Sequence, residues 1–278
     1  MVSLPERKQA AKYLVKNFGV STRFTCKLLK LNRNTLSYQS KVNKSEIVKQ
    51  VCDLSYKYPR WGYRKVTDYL HNQGVRVCKE TVRSIRKQAG LQVKRKQHKR
   101  RVFRAKPILH QAEHLNHVWS WDFMFDATFN GRKLKVLNII DEYSKELLVS
   151  YVARTITARD VYKILQKLFA ERGYPVHIRS DNGPEFVAKY IQEQIAKTKV
   201  NIIYIQPGSP WQNPFIESFN SILRDNILNR YLFFTPSEAQ AVIDNFKSEY
   251  NTERPHGTLG GLTPQMFVEK CSEKKLCA

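Results

Sequence analysis

From Val118 onward the chain carries three largely apolar, strand-like segments joined by short polar turns, and no other feature limits its possible folds as tightly. Residues 118–125, 134–140 and 146–152 read as strands. The connections Phe129-Asn-Gly131 and Asp141-Glu-Tyr-Ser144 are too short for a crossover, so the three form an antiparallel meander. Helical periodicity at 158–171, 184–198 and 215–227 then alternates with short strands at 176–180 and 202–205. The expectation is an α/β (α+β) unit built on a mixed five-stranded sheet. Three acids fall at distinctive points of this pattern. Asp122 interrupts the apolar first strand, His117-Val-Trp-Ser-Trp-Asp122-Phe-Met-Phe. Asp181 closes the fourth strand just before Asn182-Gly183-Pro184-Glu185-Phe186, and Glu217 lies on a helix that starts at Pro214. The intervals are 58 residues between the first two acids and 35 between the last two. Two strands and one helix face can bring three oxygen ligands to one point, and hard cations such as Mg²⁺ take oxygen ligands while keeping part of their water shell. Taken singly, Asp181 also fits a turn cap before Asn-Gly, and Glu217 a solvated helix glutamate.

Four stretches together resemble one family. They are Asp122 with its flanks, Asp181-Asn-Gly-Pro-Glu-Phe, Gln212-Asn-Pro-Phe-Ile-Glu217-Ser-Phe-Asn220, and Tyr250-Asn-Thr-Glu-Arg-Pro-His256. In this order and with the 35-residue gap, they resemble the DDE transposases of the retroviral-integrase superfamily, most closely the second-frame (OrfB) proteins of the IS3 family of bacterial insertion sequences. Tyr58-Pro-Arg-Trp-Gly-Tyr-Arg-Lys-Val-Thr67 is similar to the helix-turn-helix segment ahead of the catalytic core in that family. The resemblance implies a ribonuclease H-like catalytic core in which Asp122, Asp181 and Glu217 converge as catalytic acids and metal ligands. It further implies two Mg²⁺ ions, with Mn²⁺ as a substitute, Asp122 bridging the pair while Asp181 and Glu217 each complete one. Such pairs, about 3.5–4 Å apart, activate the attacking oxygen and stabilise the leaving one, so no protein nucleophile is required.

Charge points to the partner. Lys plus Arg number 48 against 24 Asp plus Glu, a formal net charge of +24, and a polyanion is the natural counterweight. The basic residues are concentrated early. Residues 5–40 read as short helices broken around Gly19, with Ser21 as a cap, and residues 45–56, 63–70 and 79–89 read as three further helices stopped at Gly74 and Gly90. Arg60, Arg64, Lys65, Arg76, Lys79, Arg83, Arg86 and Lys87 cluster where a recognition helix meets phosphates. A small helical adaptor is the plain alternative. From Lys94 to Pro107 the chain carries eight basic residues and no acid, among them Lys94, Arg95, Lys96, Lys99, Arg100 and Arg101. This reads as an extended linker tracking a DNA backbone, or as a solvated tether. The expected organisation is a helix-turn-helix-like segment at 1–42, a helical DNA-binding domain at 43–92, the linker at 93–112, the catalytic core at 113–232 and a helical extension at 233–278.

Other residues carry weaker signals. Arg224 stands seven positions after Glu217, where the family has a basic residue, and the resemblance implies contact with DNA near the scissile phosphate; an ion pair with Glu217 along the helix is the alternative. Gln212, Asn213 and Asn220 offer neutral donors for phosphates or base edges. Trp211 is suited to stacking on an unpaired base, or to a core position. Asp126, Asp141, Glu142 and Glu185 lie beside the same strands, and structural or supporting roles are expected for Asp141 and Glu185. His110, His114 and His117 fit scattered linker imidazoles better than a zinc site. Five widely spread cysteines suggest free thiols.

The resulting expectation is a soluble bacterial protein of the cytoplasm, associated with the nucleoid, with no membrane segment. It acts on double-stranded DNA at terminal inverted repeats and at a target, as a homo-oligomer on DNA, with an upstream-frame (OrfA) protein or a fusion to it as a further partner. Two rivals remain at this level: a DNA-binding regulator derived from a transposase, and a ribonuclease H-like nuclease that cuts without joining.

Overall fold

The computed structural model describes residues 4–37, 44–93, 111–181, 183–206 and 212–276. The basic stretch 94–101, Asn182 and Trp211 lie outside these residues. The chain divides into two compact units, 1–50 and 51–278.

In the first unit, α1 (Leu4–Phe18), α2 (Thr22–Leu28) and α3 (Arg33–Ser37) close around Ala11, Cys26 and Leu31. Ser21 caps α2 by accepting a hydrogen bond from the Phe24 amide, and the Asn32 side chain accepts from the Asn34 amide at the start of α3, as the pattern of small polar residues requires. A fourth helix, α4 (Lys44–Lys57), follows in the sequence.

The second unit continues with α5 (Tyr63–Asn72) and α6 (Lys79–Gln88), whose apolar faces bury Trp61, Val66, Leu70, Val82 and Ile85. Gly74 and Gly90, both at positive φ, end the two helices. The sheet follows: β1 (Val118–Ala127), β2 (Lys133–Asp141), β3 (Leu147–Ala153), β4 (His177–Ser180) and β5 (Asn201–Tyr204), in the order β3-β2-β1-β4-β5. β1, β2 and β3 pair antiparallel, whereas β4 and β5 are parallel to β1. This is the ribonuclease H-like arrangement expected from the element order.

Helices cover both faces. On one side Trp119, Trp121, Leu137 and Ile139 pack against α7 (Ala158–Arg172) and α8 (Lys189–Ala196); on the other Met124, Val136 and Ile140 pack against α9 (Pro214–Leu223) and α10 (Pro236–Thr252). Each such side chain contributes on the order of 1.5–3 kcal/mol. β2 is therefore buried nearly throughout, which explains why Leu134, Val136, Leu137, Ile139 and Ile140 are apolar on both faces of the strand. A last helix, α11 (Pro264–Leu276), packs on α10.

Two expected helices differ from the structure. The helix expected at 184–198 starts only at Lys189. Residues 183–187 form a tight turn, in which the Gly183 carbonyl accepts from the Phe186 and Val187 amides, and Phe186 turns inward to stack on Trp121 and Phe123. The helix expected at 215–227 is α-helical only to Leu223 and continues as one widened π turn over Arg224–Leu228.

Candidate active site

Asp122 sits at the middle of β1, directly across from Asn138 of β2, which in turn pairs with Ser150 of β3. Because side chains alternate, the three lie in one row on the sheet face covered by α9. The row is bonded from end to end: the Ser150 hydroxyl donates to Asn138 Oδ1 at 2.7 Å, Asn138 Nδ2 donates to Asn220 Oδ1 at 2.8 Å, and Asn220 Nδ2 donates to Asp122 Oδ2 at 2.7 Å. The other Asp122 oxygen accepts from the Phe123 amide at 2.8 Å. One residue of α9 thereby fixes the rotamer of an acid on β1.

Asp181 follows the last residue of β4, the strand beside β1. Its Oδ1 accepts from the Gly183 amide at 3.0 Å, so the turn-capping role read from Asp-Asn-Gly is real. Gly183 leaves the turn room to close, since a Cβ would lie 3.1 Å from that same oxygen and 3.3 Å from the Phe186 ring, and one of these would have to shift. Glu217 occupies the exposed first turn of α9, where the positive end of the helix dipole favours an acid. Burial pushes the Asp122 carboxyl up to about 7, and the negative charges of Asp181 and Glu217 push it the same way. The three acids thus share one electrostatic neighbourhood. Among the described residues, however, no three acidic, histidine or cysteine side chains form a group close enough to hold a metal ion.

A second network joins the acid-bearing elements. Arg179, two residues before Asp181, and Glu142, just after β2, form a buried ion pair with Nε to Oε1 at 2.7 Å, and Ser120 of β1 donates to the same carboxylate. Arg179 also reaches the Gln212 carbonyl, ahead of α9. The sequence reading passed over Asn138, Ser150 and Arg179. The available signal was a polar residue inside an otherwise apolar buried strand.

Several residues expected to meet DNA are turned inward instead. Arg86 is only 2% exposed; its guanidinium donates to the Leu91 and Trp61 carbonyls and ties off the end of α6. Asn213 is buried, with Nδ2 within 3.5 Å of the Trp121 carbonyl, and Asn220 spends its amide on Asp122 and Asn138. Lys65 is half-buried beside Arg254. Arg64, Lys79 and Arg83 remain exposed, and Gln212 is half-exposed, bonded to Gln206. Arg224 pairs with Asp126 at 3.7 Å and donates to the Phe125 carbonyl, so its described partners lie on β1 rather than at Glu217. Asp141 organises a turn through the Asn116, Tyr143 and Ser144 amides, and Glu185 pairs with Lys135. His114 and His117 stack on each other. No helix among the described residues is long and apolar enough to cross a membrane.

A mixed five-stranded sheet in this order, with acids on β1, after β4 and on α9, defines the integrase-core class of polynucleotidyl transferases. Family models agree: two, both described as integrase core domain, match residues 112–210 and 198–264, and an HTH-like domain matches 41–99. An uncharacterized protein of insertion element IS407 from Burkholderia multivorans is 33% identical over 254 residues, covering 91% of this chain and 92% of the relative. One from IS476 of Xanthomonas euvesicatoria is 30% identical over 95% of this chain and 77% of its own length. The transposase InsF of IS3A from Escherichia coli is 23% identical over 90% and 94%. Among solved structures, the HTLV-2 integrase catalytic core in complex with magnesium aligns with a TM-score of 0.45 at 21% identity, covering 55% of this chain and 95% of that one. The chain belongs to the IS3 family of insertion-sequence transposases, as its OrfB type. It is a DNA transposase, and the regulator and simple-nuclease readings are not favoured.

Proposed function

We propose that Asp122, Asp181 and Glu217 are the catalytic acids with which this transposase cuts and joins DNA strands at the ends of its element, and that they hold two Mg²⁺ ions, replaceable by Mn²⁺. The observation that carries the reading is the placing of Asp122: half-buried mid-strand on β1 and held by two hydrogen bonds, one of them from α9, the helix that carries Glu217, beside β4, the strand that Asp181 follows. Oxygen-only donors with an excess of negative charge suit a hard divalent cation better than a soft or nitrogen-loving one. When bound, the ions supply neutralisation of the phosphoryl oxygens and activation of the attacking oxygen. The protein supplies position. Asn220 and the Phe123 amide orient Asp122, the Gly183 turn orients Asp181, and α9 presents Glu217 while its Asn220 grips β1. In the first reaction water adds to phosphorus and the P–O3′ bond breaks, leaving a 3′-hydroxyl. That hydroxyl then attacks a target phosphodiester and displaces the target's own 3′ oxygen.

Exposed Arg64, Lys79 and Arg83 on the helical domain contact phosphates of the terminal inverted repeats, Arg224 and Gln212 contact DNA beside the acids, and residues 94–101 follow the backbone between the two regions. Joining two ends requires a homo-oligomer on DNA, with an OrfA protein or fusion completing the active species in the cytoplasm. The test is cleavage of labelled terminal-repeat duplex by the purified chain with Mg²⁺, with Mn²⁺ and with chelator. Nicks at the element end with either metal and none with chelator are expected; equal nicking in chelator removes the metal assignment.

A further inference from the structure

The Tyr250-to-His256 motif is left unused by the acid-centred chemistry. Its first residues end α10, and the loop after it receives α5 of the helical domain. Lys57 Nζ reaches Glu253 at 2.9 Å, the Tyr58 hydroxyl donates to the same carboxylate, and Asn72 Nδ2 donates to the Gly261 carbonyl at 3.0 Å. Gly261 has φ +87°, and a Cβ there would stand 3.1 Å from the Asp68 carboxyl carbon, so only glycine admits so close an approach.

Arg254 lies at the centre of this seam and is 5% exposed, yet its Nε and NH1 are buried without a hydrogen-bond partner, as is Nε2 of His256. Burial and the charge of Arg254 push the Lys65 ammonium down to about 7, while Arg254, Lys65 and Lys145 add to burial in pushing His256 down to about 3. Asp68 acts on Lys65, and Glu249 and Tyr250 act on Arg254, only through space; none of them occupies the two guanidinium nitrogens. A neutral indole N–H left unpaired, such as that of Trp121, forgoes one hydrogen bond. A guanidinium stripped of water with two idle donors, beside a second cation, is far more costly and calls for an anion.

We propose that Arg254, Lys65 and His256 form a binding site for a single phosphate-type oxyanion at the seam between α5 and the loop following α10. The Nε and NH1 edge of Arg254 forms a two-donor fork that matches two oxygens of a tetrahedral anion, Lys65 adds a third donor, and the His256 ring adds another through Nε2. The fork is closed to solvent, so uptake requires α5 and the loop to part and reclose, and binding appears as added stability. The same chemistry is offered by a DNA phosphate held beneath α5 and by free inorganic phosphate.

The test uses the full chain with inorganic phosphate against chloride at matched ionic strength, followed by thermal unfolding and calorimetry. A saturable rise in melting temperature is expected. It should weaken by about tenfold or more in affinity in Lys65→Met, which keeps the apolar stem, and similarly in Arg254→Lys, which keeps charge but loses the fork. Circular dichroism verifies that the variants are folded, and Lys167→Met, at an exposed position of α7, serves as a control that leaves the response intact. If phosphate also displaces duplex DNA and Lys65→Met weakens that DNA, the anion is a DNA phosphate; if DNA affinity is unchanged, it is free phosphate. Both outcomes support the site. No response beyond chloride, or an equal response in Lys65→Met and the parent, overturns it. The phosphate arm does not depend on the roles of the three acids, so a chain that fails to cut DNA still reports on this site.

Discussion

Buried polar groups are treated in opposite ways in two regions of the molecule. Beneath Asp122 they are paired: Ser150, Asn138, Asn220 and Asp122 form one continuous chain, and Arg179 neutralises Glu142. At the seam around Arg254 they are not, and two guanidinium nitrogens and one imidazole nitrogen are left without partners. A satisfied network rigidifies and fixes a rotamer, as the acid site proposed above requires. An unsatisfied cationic cluster is costly in isolation and becomes favourable only when an anion arrives. The comparison teaches that burial of polar groups serves positioning in one region and ligand capture in the other.

The contrast is broken most severely at Arg179. Arg179→Met leaves the Glu142 carboxylate buried and unpaired, and urea unfolding should show a loss of about 3–5 kcal/mol, largely recovered in the Arg179→Met/Glu142→Leu double variant. A double variant as unstable as the single one would mean that the pair is not the unit of stability. Asn138→Leu removes the middle of the chain at nearly constant volume. It should cost about 1–3 kcal/mol because Asn220 and Ser150 lose partners, and it should slow DNA cleavage while DNA affinity is retained. Cleavage at the parental rate would show that Asp122 does not need the relay.

The seam predicts a smaller effect that depends on pH. His256 has its pKa pushed down to about 3 from 6.5, so between those values the unfolded chain binds more protons than the folded one. Its contribution is complete above pH 6.5 and is lost as pH falls toward 3. Unfolding curves at pH 7 and pH 4 should therefore diverge less in His256→Gln than in the parent. Parallel losses in the two proteins would remove His256 from the account.

Much of this was legible in the sequence because it follows from periodicity. The meander, the alternation of helix and strand, and the positions of the three acids on β1, after β4 and on α9 all agree with the structure. What periodicity cannot supply is the direction of a polar side chain whose partner is distant in sequence. Asn138 and Asn220 meet across 82 residues, and Arg179 and Glu142 across 37. For the same reason Arg86, Asn213 and Asn220 read as surface donors although they serve the interior. The early start assigned to α8 failed because Pro184 to Phe186 has helical composition, while the gain from stacking Phe186 on Trp121 and Phe123 favours a turn.

The central claim is that three acids on three elements act as one site for cutting and joining DNA. The most direct measurement incubates the chain with labelled terminal-repeat DNA, target DNA and Mg²⁺, in parallel with Asp122→Asn, Asp181→Asn and Glu217→Gln, and resolves nicked from joined products. The account predicts that both products fall by several orders of magnitude in every variant while repeat binding persists. Joined product at the parental level in any one of them would contradict the role assigned to that acid.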